Sequence, residues 1–496
     1  MADVPSPVLN MSYDVVVVGG GVGGLTVAAL LTARGVNVCL LERQSQVGGC
    51  IGRVQFSGID FEPGMGLHSS WGNNEIFAKV FSELAVDPPR ASRIESDFVV
   101  RLARDQDIRL KKDEAEFFDE LRNAFPECPQ AAIEFYKQVD RVWQFRYQQA
   151  QTKFDTGFLA QAWRRIWPSK PGSNLADFTT RTALSFAGSA SSRFQRFIDA
   201  QLRAFLHTSI DRCAFLAACD ALSLARRDLY AIESGVATLA ERLAESIKVA
   251  GGSVRLDSPV LRLAYDKGGH AIGVDLLSGE TVLAKRAIIS NLTIWDTYGK
   301  LVGLNNTPSA VKSELRKLQS SGAYLIYANV DNAAVARLPA RNFLVATDEA
   351  TEGMELSGEF TVTIGPKNSN GSHPGTIKTA CEVAPWFSFQ SSEEDYEEWD
   401  QSALESLWDR LHHALPELGS GIEVIETANP RTCYDLTRRK LGMVMGVESA
   451  LESLCRADQH VTTIPNVYIV GDTVAGAPTI AGVVESSLLL ANRLTK

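Results

Sequence analysis

The chain has 496 residues, 45% of them hydrophobic and 22% charged, with a formal net charge of −10. This is the composition of a globular protein, too long for a single hydrophobic core, so two or three domains are expected. The acidic balance argues against nucleic acid as a main partner, because such partners need basic faces.

The first fourteen residues contain no apolar run of the kind a secretory leader carries, and no stretch reaches the ~18 apolar residues of a membrane span. Eight cysteines are scattered without a Cys-x-x-Cys pair, so neither a zinc site nor a redox dithiol is expected. The expected location is the cytoplasm, with reduced thiols.

The first ordered stretch is Val15-Val16-Val17-Val18 followed by Gly19-Gly20-Gly21-Val22-Gly23-Gly24. Four β-branched residues predict a buried strand, and Leu25, Ala28, Ala29 and Leu31 predict a helix after the glycines. Gly19, Gly21 and Gly24 fit the dinucleotide fingerprint: a tight turn, close approach of a pyrophosphate, and close helix–strand packing. The phosphates would meet the free N–H groups of the helix N-terminus. A second strand, Asn37–Leu41, ends in Glu42, placed to accept hydrogen bonds from ribose hydroxyls.

Next come Gly48-Gly49-Cys50-Ile51-Gly52-Arg53, a hairpin over Val54–Phe61, and Glu62-Pro63-Gly64-Met65-Gly66-Leu67-His68. With these motifs the chain resembles FAD-dependent oxidoreductases of the phytoene desaturase type. That group includes carotenoid isomerases and retinol saturases and is related more distantly to flavin amine oxidases. Many members have Arg after the Gly-Gly pair and Asp before the later Gly; this chain has Cys50 and Glu62 there, and Cys50 with the spacing to Gly52 resembles the isomerase and saturase branches more. The resemblance implies an α/β fold: a Rossmann-like FAD-binding domain of the glutathione-reductase type, a mixed-sheet substrate domain and a helical lid.

Residues 76 to 225 read as largely helical, with Asp113–Ala124 and Pro129–Gln151 the clearest segments. The stretch Phe154–Trp167 has a broad apolar stripe beside Arg164, Arg165 and Lys170. It reads as a lid helix over the substrate domain, with a peripheral membrane contact as the alternative. Tyr230–Val236 leads into an amphipathic helix, Ala237 to Ala250, ended by Gly251-Gly252. Strands at Ser253–Leu256, Ser258–Leu263, Val274–Leu277 and Ala287–Asn291 follow. The resemblance places the backbone of Val260 against the adenine side of FAD. Between 298 and 427 strands are expected at Ala323–Val330, Phe360–Ile364 and Thr376–Glu382, with an exposed loop at Gly365–Gly375. The acidic run Glu393–Asp400 reads as the solvated opening of a helix. His412 and His413, being adjacent, point to different helix faces and do not suggest a shared metal; no metal site is expected.

The last block is a strand, Val467–Val470, then Gly471-Asp472, then a helix from Val484 to Leu494. It resembles the second FAD motif of the same family, which implies that Asp472 meets the ribityl–phosphate portion and that the helix N-terminus near Gly482 and Val483 faces the flavin pyrimidine. The expected cofactor-binding residues are therefore Gly19, Gly21, Gly23, Gly24, Glu42, Arg43, Gly49, Cys50, Val260, Gly471, Asp472, Gly482 and Val483. Catalytic candidates are His68, in the loop after the second glycine motif, and Arg431 and Tyr434, in the segment returning to the cofactor domain. Arg438 and Arg439 lie beside them and read either as tunnel lining or as a surface basic cluster.

The expected division is a cofactor domain from 1–75, 226–297 and 428–496, a substrate domain from 76–110 and 298–427, and a lid at 111–225. The resemblance implies hydride chemistry at flavin N5 on a hydrophobic polyene or isoprenoid. With one dinucleotide fingerprint, oxygen or a quinone is the expected electron acceptor. The alternatives are a flavin amine oxidase using O2 and a non-catalytic flavoprotein of the Rab-escort type.

Overall fold

The computed structural model describes residues 12–72, 75–94, 98–102, 106–154, 181–224, 226–227, 229–347, 356–368, 371–387, 393–444, 446–447, 460–474 and 479–495. In chain order these form β1 (Ser12–Val18), α1 (Val22–Ala33), β2 (Val38–Leu41), β3 (Val54–Phe56), β4 (Ile59–Phe61), β5 (Ala91–Arg93), β6 (Phe98–Leu102) and β7 (Gln106–Leu110). Then come the helices α2 (Glu114–Ala124), α3 (Pro129–Phe154), α4 (Ser192–Leu206) and α5 (Phe215–Leu224), then β8 (Tyr230–Ile232), α6 (Ala237–Val249), β9 (Ser253–Arg255), β10 (Val260–Tyr265), β11 (Ala271–Leu276) and β12 (Thr281–Ser290). The remainder is β13 (Gly322–Val330), β14 (Asn342–Ala346), β15 (Leu356–Ile364), β16 (His373–Cys381), α7 (Glu393–Ala414), β17 (Ile422–Ala428), α8 (Pro430–Thr437), β18 (Val467–Ile469) and α9 (Ile480–Leu494).

One sheet runs β10-β11-β12-β1-β2-β9, with β18 also paired to β12. β1 lies parallel to β2 on one side and to β12 on the other, with Val15–Val18 opposite Val38–Leu41 and Ala287–Ser290. β12 is long enough to serve two partners on its other edge. Its first residues pair antiparallel with β11, and Ile288–Ser290 pair parallel with β18. The run Val15–Val18 is at most 3% exposed, as befits a parallel strand covered on both faces. Val15 and Val17 pack against α1, α6 and α9, while Val16 and Val18 pack on the β10–β12 side.

The second sheet runs β17-β13-β16-β15-β14-β6-β7, antiparallel except where β14 meets β6. Strand alternation gives it two faces. Tyr324, Ile326 and Ala328 pack on α7 through Ala403, Leu407 and Leu411. Ala323, Leu325 and Tyr327 face the opposite way, onto the β3–β4 hairpin and a cavity. Helices α2 to α5 form an aromatic-rich bundle in which Tyr136, Phe194, Phe197 and Phe215 are fully buried.

Two expectations need correction. The 76–225 region is less helical than its apolar spacing implies. Phe98–Leu102 and Gln106–Leu110 are the last two strands at one end of the second sheet, and Ala91–Arg93 pairs with Tyr230–Ile232. The loop expected at Gly365–Gly375 is shorter, because His373–Gly375 already belong to β16, paired with Ala328–Val330. Residues 155–180, which carry most of the amphipathic stretch read from the sequence, lie outside the described residues.

Candidate active site

The ends of β1, β2, β12 and β18 converge on a cleft of about 340 Å³, the crevice outside the carboxyl ends of parallel strands where α/β sheets bind nucleotides. Gly21 begins α1 with no side chain capping it, leaving the first-turn N–H groups directed at the cleft. A β-carbon on Gly24 would lie 2.2 Å from Gly19 O, so this glycine is dictated by helix–strand contact. One on Gly21 would lie 2.6 Å from Asn291 Nδ2, and one on Gly23 would lie 2.7 Å from Asn291 Oδ1. The Asn291 side chain, at the end of β12, thus packs across the turn. Opposite, Gly48 and Gly49 take φ values of +118° and +57°, and Gly48 N donates to Gly20 O at 2.8 Å.

Glu42 accepts from Gly20 N at 2.7 Å and from Gln44 N at 2.8 Å, so its carboxylate is held in place by the backbone around it. Val260 and Arg43 line the same cleft, and Arg43 donates to Leu436 O at 2.9 Å. Gly471, at φ +129°, and Asp472 close the far wall. Asp472 receives a two-pronged pair from Arg439, at 2.8 and 3.2 Å, with the two side chains 22% and 16% exposed. Burial works against the Arg439 charge, but Asp472 more than offsets it and holds the guanidinium above its ordinary range. Arg439 is therefore a cleft residue, not part of a surface basic cluster. At α9, Thr479 Oγ1 accepts from Gly482 N at 3.1 Å, so Gly482 is engaged in capping, while Thr479, Ile480 and Val483 face the cleft.

A second cavity of about 390 Å³ adjoins the first. The two share Gly49, Cys50, Ile51, Leu436, Thr437, Val444, Thr479 and Ile480 as walls. Its floor is the outer face of the second sheet. Leu325, Lys378 and Thr361 sit side by side in register across β13, β16 and β15. Burial depresses the Lys378 ammonium. Burial also raises the Cys50 thiol and pushes Cys433 up to about 12, so both are protonated at neutral pH and are poor nucleophiles. His68 and His207 line the cavity, and burial lowers them to about 4 and about 3, leaving neutral imidazoles. Glu62, raised by burial, accepts from Val236 N at 3.2 Å, which ties the loop holding His68 to the start of α6.

Helix α8 separates two of the catalytic candidates from the cavity. It turns Thr432, Cys433, Leu436 and Thr437 toward the cavities. Arg431 lies over the Tyr396 ring at 4.1 Å, and Tyr434 meets Phe387 edge-on at 5.5 Å. Neither lines a cavity, because one face of a helix takes only positions three or four apart. Of the expected catalytic residues, His68 alone is in the cavity. Lys378, His207, Thr479 and Asn291 were not singled out from the sequence. For Lys378 a signal existed: a lone charge within an otherwise apolar and threonine-rich alternating strand. The described residues hold no cluster of three side chains able to ligate a metal, and His412 is occupied by Trp408 O and Gly419 O. Among the described residues no helix is long and apolar enough to cross a membrane.

The family described as flavin containing amine oxidoreductase matches residues 22–495. The chain is 24% identical to a chloroplastic prolycopene isomerase of Daucus carota, over 98% of its own length and 80% of that protein. It is 22% identical to an all-trans-retinol 13,14-reductase of Danio rerio, over 92% of its length and 82% of that protein. Its fold matches that of an oxidoreductase from Methanosarcina mazei with a TM-score of 0.64 at 17% identity, covering 97% of this chain and all of the other.

Proposed function

The chain belongs to the flavin-containing amine oxidoreductase family and is a flavin-dependent oxidoreductase, and from that premise we propose that it binds FAD and acts on a hydrophobic polyene or isoprenoid as a desaturase, saturase or isomerase. The observation that carries this reading is the second cavity: walled by Leu67, Phe205, Leu325, Tyr327 and Ala323, it opens directly onto the nucleotide cleft. The sequence relatives named for prolycopene and retinol support the same substrate class.

The fit of the cofactor rests on the cleft itself. The uncapped α1 N-terminus and the Gly21 and Gly49 backbones would receive the pyrophosphate, and Glu42 the ribose. Asp472, steadied by Arg439, and Thr479 would meet the ribityl and ring portions. When bound, FAD supplies hydride acceptance or donation at its N5. The protein holds the substrate against the sheet floor, excludes water from the apolar cavity, and keeps His68 and His207 neutral. Oxygen or a quinone takes up the two electrons where the reaction is a net oxidation, a separate two-electron reductant of the flavin supplies them where it is a saturation, and an isomerisation needs neither. We also propose the three-part division of the chain stated above and a cytoplasmic location; flotation with liposomes tests the alternative of contact with a membrane surface.

A second reading, oxidation of an amine C–N bond with O2, is favoured by one observation: Lys378 stands in the cavity. Anaerobic mixing of the yellow protein with isoprenoid and amine substrates separates the two. Flavin bleaching or isomer conversion with an isoprenoid supports the first reading; bleaching only with an amine supports the second.

A further inference from the structure

Arg438 ends α8 in a left-handed conformation with φ +55°, and Leu441 and Gly442 repeat it at +51° and +66°. Arg438 and Leu441 have side chains that disfavour this region, and such strain persists where the surroundings hold a segment to one path. The path here follows the nucleotide cleft, which Leu436, Thr437, Arg438 and Arg439 all line.

At their carboxyl ends the parallel strands stand in the order β2-β1-β12-β18. The segment is tied to both sides of this row. Leu436 O, a carbonyl of the last helical turn with no partner inside the helix, accepts from Arg43 Nη2 at 2.9 Å and from Gln44 Nε2, both just past β2. Arg438 O accepts from Lys300 Nζ at 3.0 Å, and Lys300 pairs with Asp296 at 2.8 Å in the stretch after β12. Arg439 is held on Asp472, just past β18. Running from β2 to β18, the segment crosses the ends of β1 and β12, where the glycine turn and Asn291 stand.

The ties differ in strength. Asn429, at the start of α8, is buried, and Met443, beyond the segment, is buried against Trp295 and Val383. The Arg439–Asp472 pair is largely enclosed. Between these fixed points Leu436 is 56% exposed, so apolar burial does little to hold it. The bonds from Arg43, Gln44 and Lys300 lie at the surface, where water replaces them at small net cost. Helix ends of this kind open far more easily than the core.

We propose that Leu436–Arg438 form a strap across the nucleotide cleft, with Arg43 and Gln44 as its clasp, and that FAD enters and leaves when the clasp opens and the last turn of α8 peels back from Arg439. This rests on the reading that the cleft takes FAD, and adds what sets the rate of its exchange. The clasp is closed before and after binding, so weakening it speeds passage in both directions and leaves the affinity nearly unchanged.

The test is stopped-flow flavin fluorescence on the full chain, following uptake of FAD by the stripped protein and its release from the loaded one. Arg43→Ala/Gln44→Ala should raise both rates by at least about fivefold, the effect of losing surface hydrogen bonds, with Kd within about twofold of native. Lys300→Ala, which loosens the strap from its other side, should also raise both. Faster release with unchanged uptake in either variant would make those residues direct contacts of FAD and overturn the strap; so would either variant keeping both rates at native values. Both outcomes leave the FAD reading standing. A native chain that takes up no FAD overturns that reading, and the strap with it.

Discussion

Gly24 shows how a single missing atom ties two elements together. With 2.2 Å between a would-be β-carbon and Gly19 O, Gly24→Ala must push α1 off β1. We expect a loss of about 2 kcal/mol or more in urea denaturation, together with loss of bound flavin on purification. His68 and His207 act through their protonation. Their folded-state values, about 4 and about 3, lie below the ordinary histidine value, so between about pH 6.5 and these values the unfolded chain binds protons that the native protein does not. Stability should therefore be fully present at neutral pH and fall as the pH drops through 6.5 toward 4. The urea midpoint of His68→Asn, compared with that of the native protein at about pH 7 and about pH 5, should show a shallower decline. An identical decline would mean that other groups dominate the acid limb. The glycines and Glu42 were legible because their spacing is local. Lys378 and His207 were not, because nothing nearby in sequence says which way a strand or a helix end will face.

At the scale of elements, α8 is the most instructive. Asn429 caps it, accepting from Arg431 N and Thr432 N, and Pro430 occupies its first turn. The chain then folds back so tightly that a β-carbon on Gly442 would fall 1.8 Å from Pro430 O, and this reversal brings Arg439 to Asp472. Helical spacing divides the segment into an inner face, Thr432, Cys433, Leu436 and Thr437, and an outer face with Arg431 and Tyr434. Cys433→Trp should fill the cavity and abolish substrate binding while FAD remains bound. Tyr434→Phe, which keeps the ring contact with Phe387, should leave turnover within about twofold of native, with stability changed by less than about 0.5 kcal/mol. A large loss of turnover in Tyr434→Phe would restore that residue as a catalytic candidate. The sequence reading identified this segment as one that approaches the cavity, but it chose side chains by chemistry when the helix face was what mattered.

For the molecule as a whole, the nucleotide cleft is assembled from Gly19–Gly21, Ser258–Val260, Asn291 and Gly471–Asp472, pieces drawn from the beginning, middle and end of the chain. A ligand spanning them stabilises the native state by mass action, so FAD at a hundredfold excess over its Kd should add about 2.7 kcal/mol. Stripping the flavin should lower the melting temperature by a corresponding amount, and readdition of FAD should restore it. No shift on readdition would argue that the cleft does not hold FAD. The sequence by itself determined the strand–glycine–helix opening, the strand ending in Glu42, the closing strand with Gly-Asp, and through them the family and the flavin, because these signals are written in contiguous residues whose backbone needs are local. Only the tertiary structure decided that Lys378, His207 and His68 share one cavity, that Arg439 is buried on Asp472, and that Arg431 and Tyr434 face away. Each of those outcomes depends on which face of a strand or helix meets a partner supplied from a distant part of the chain.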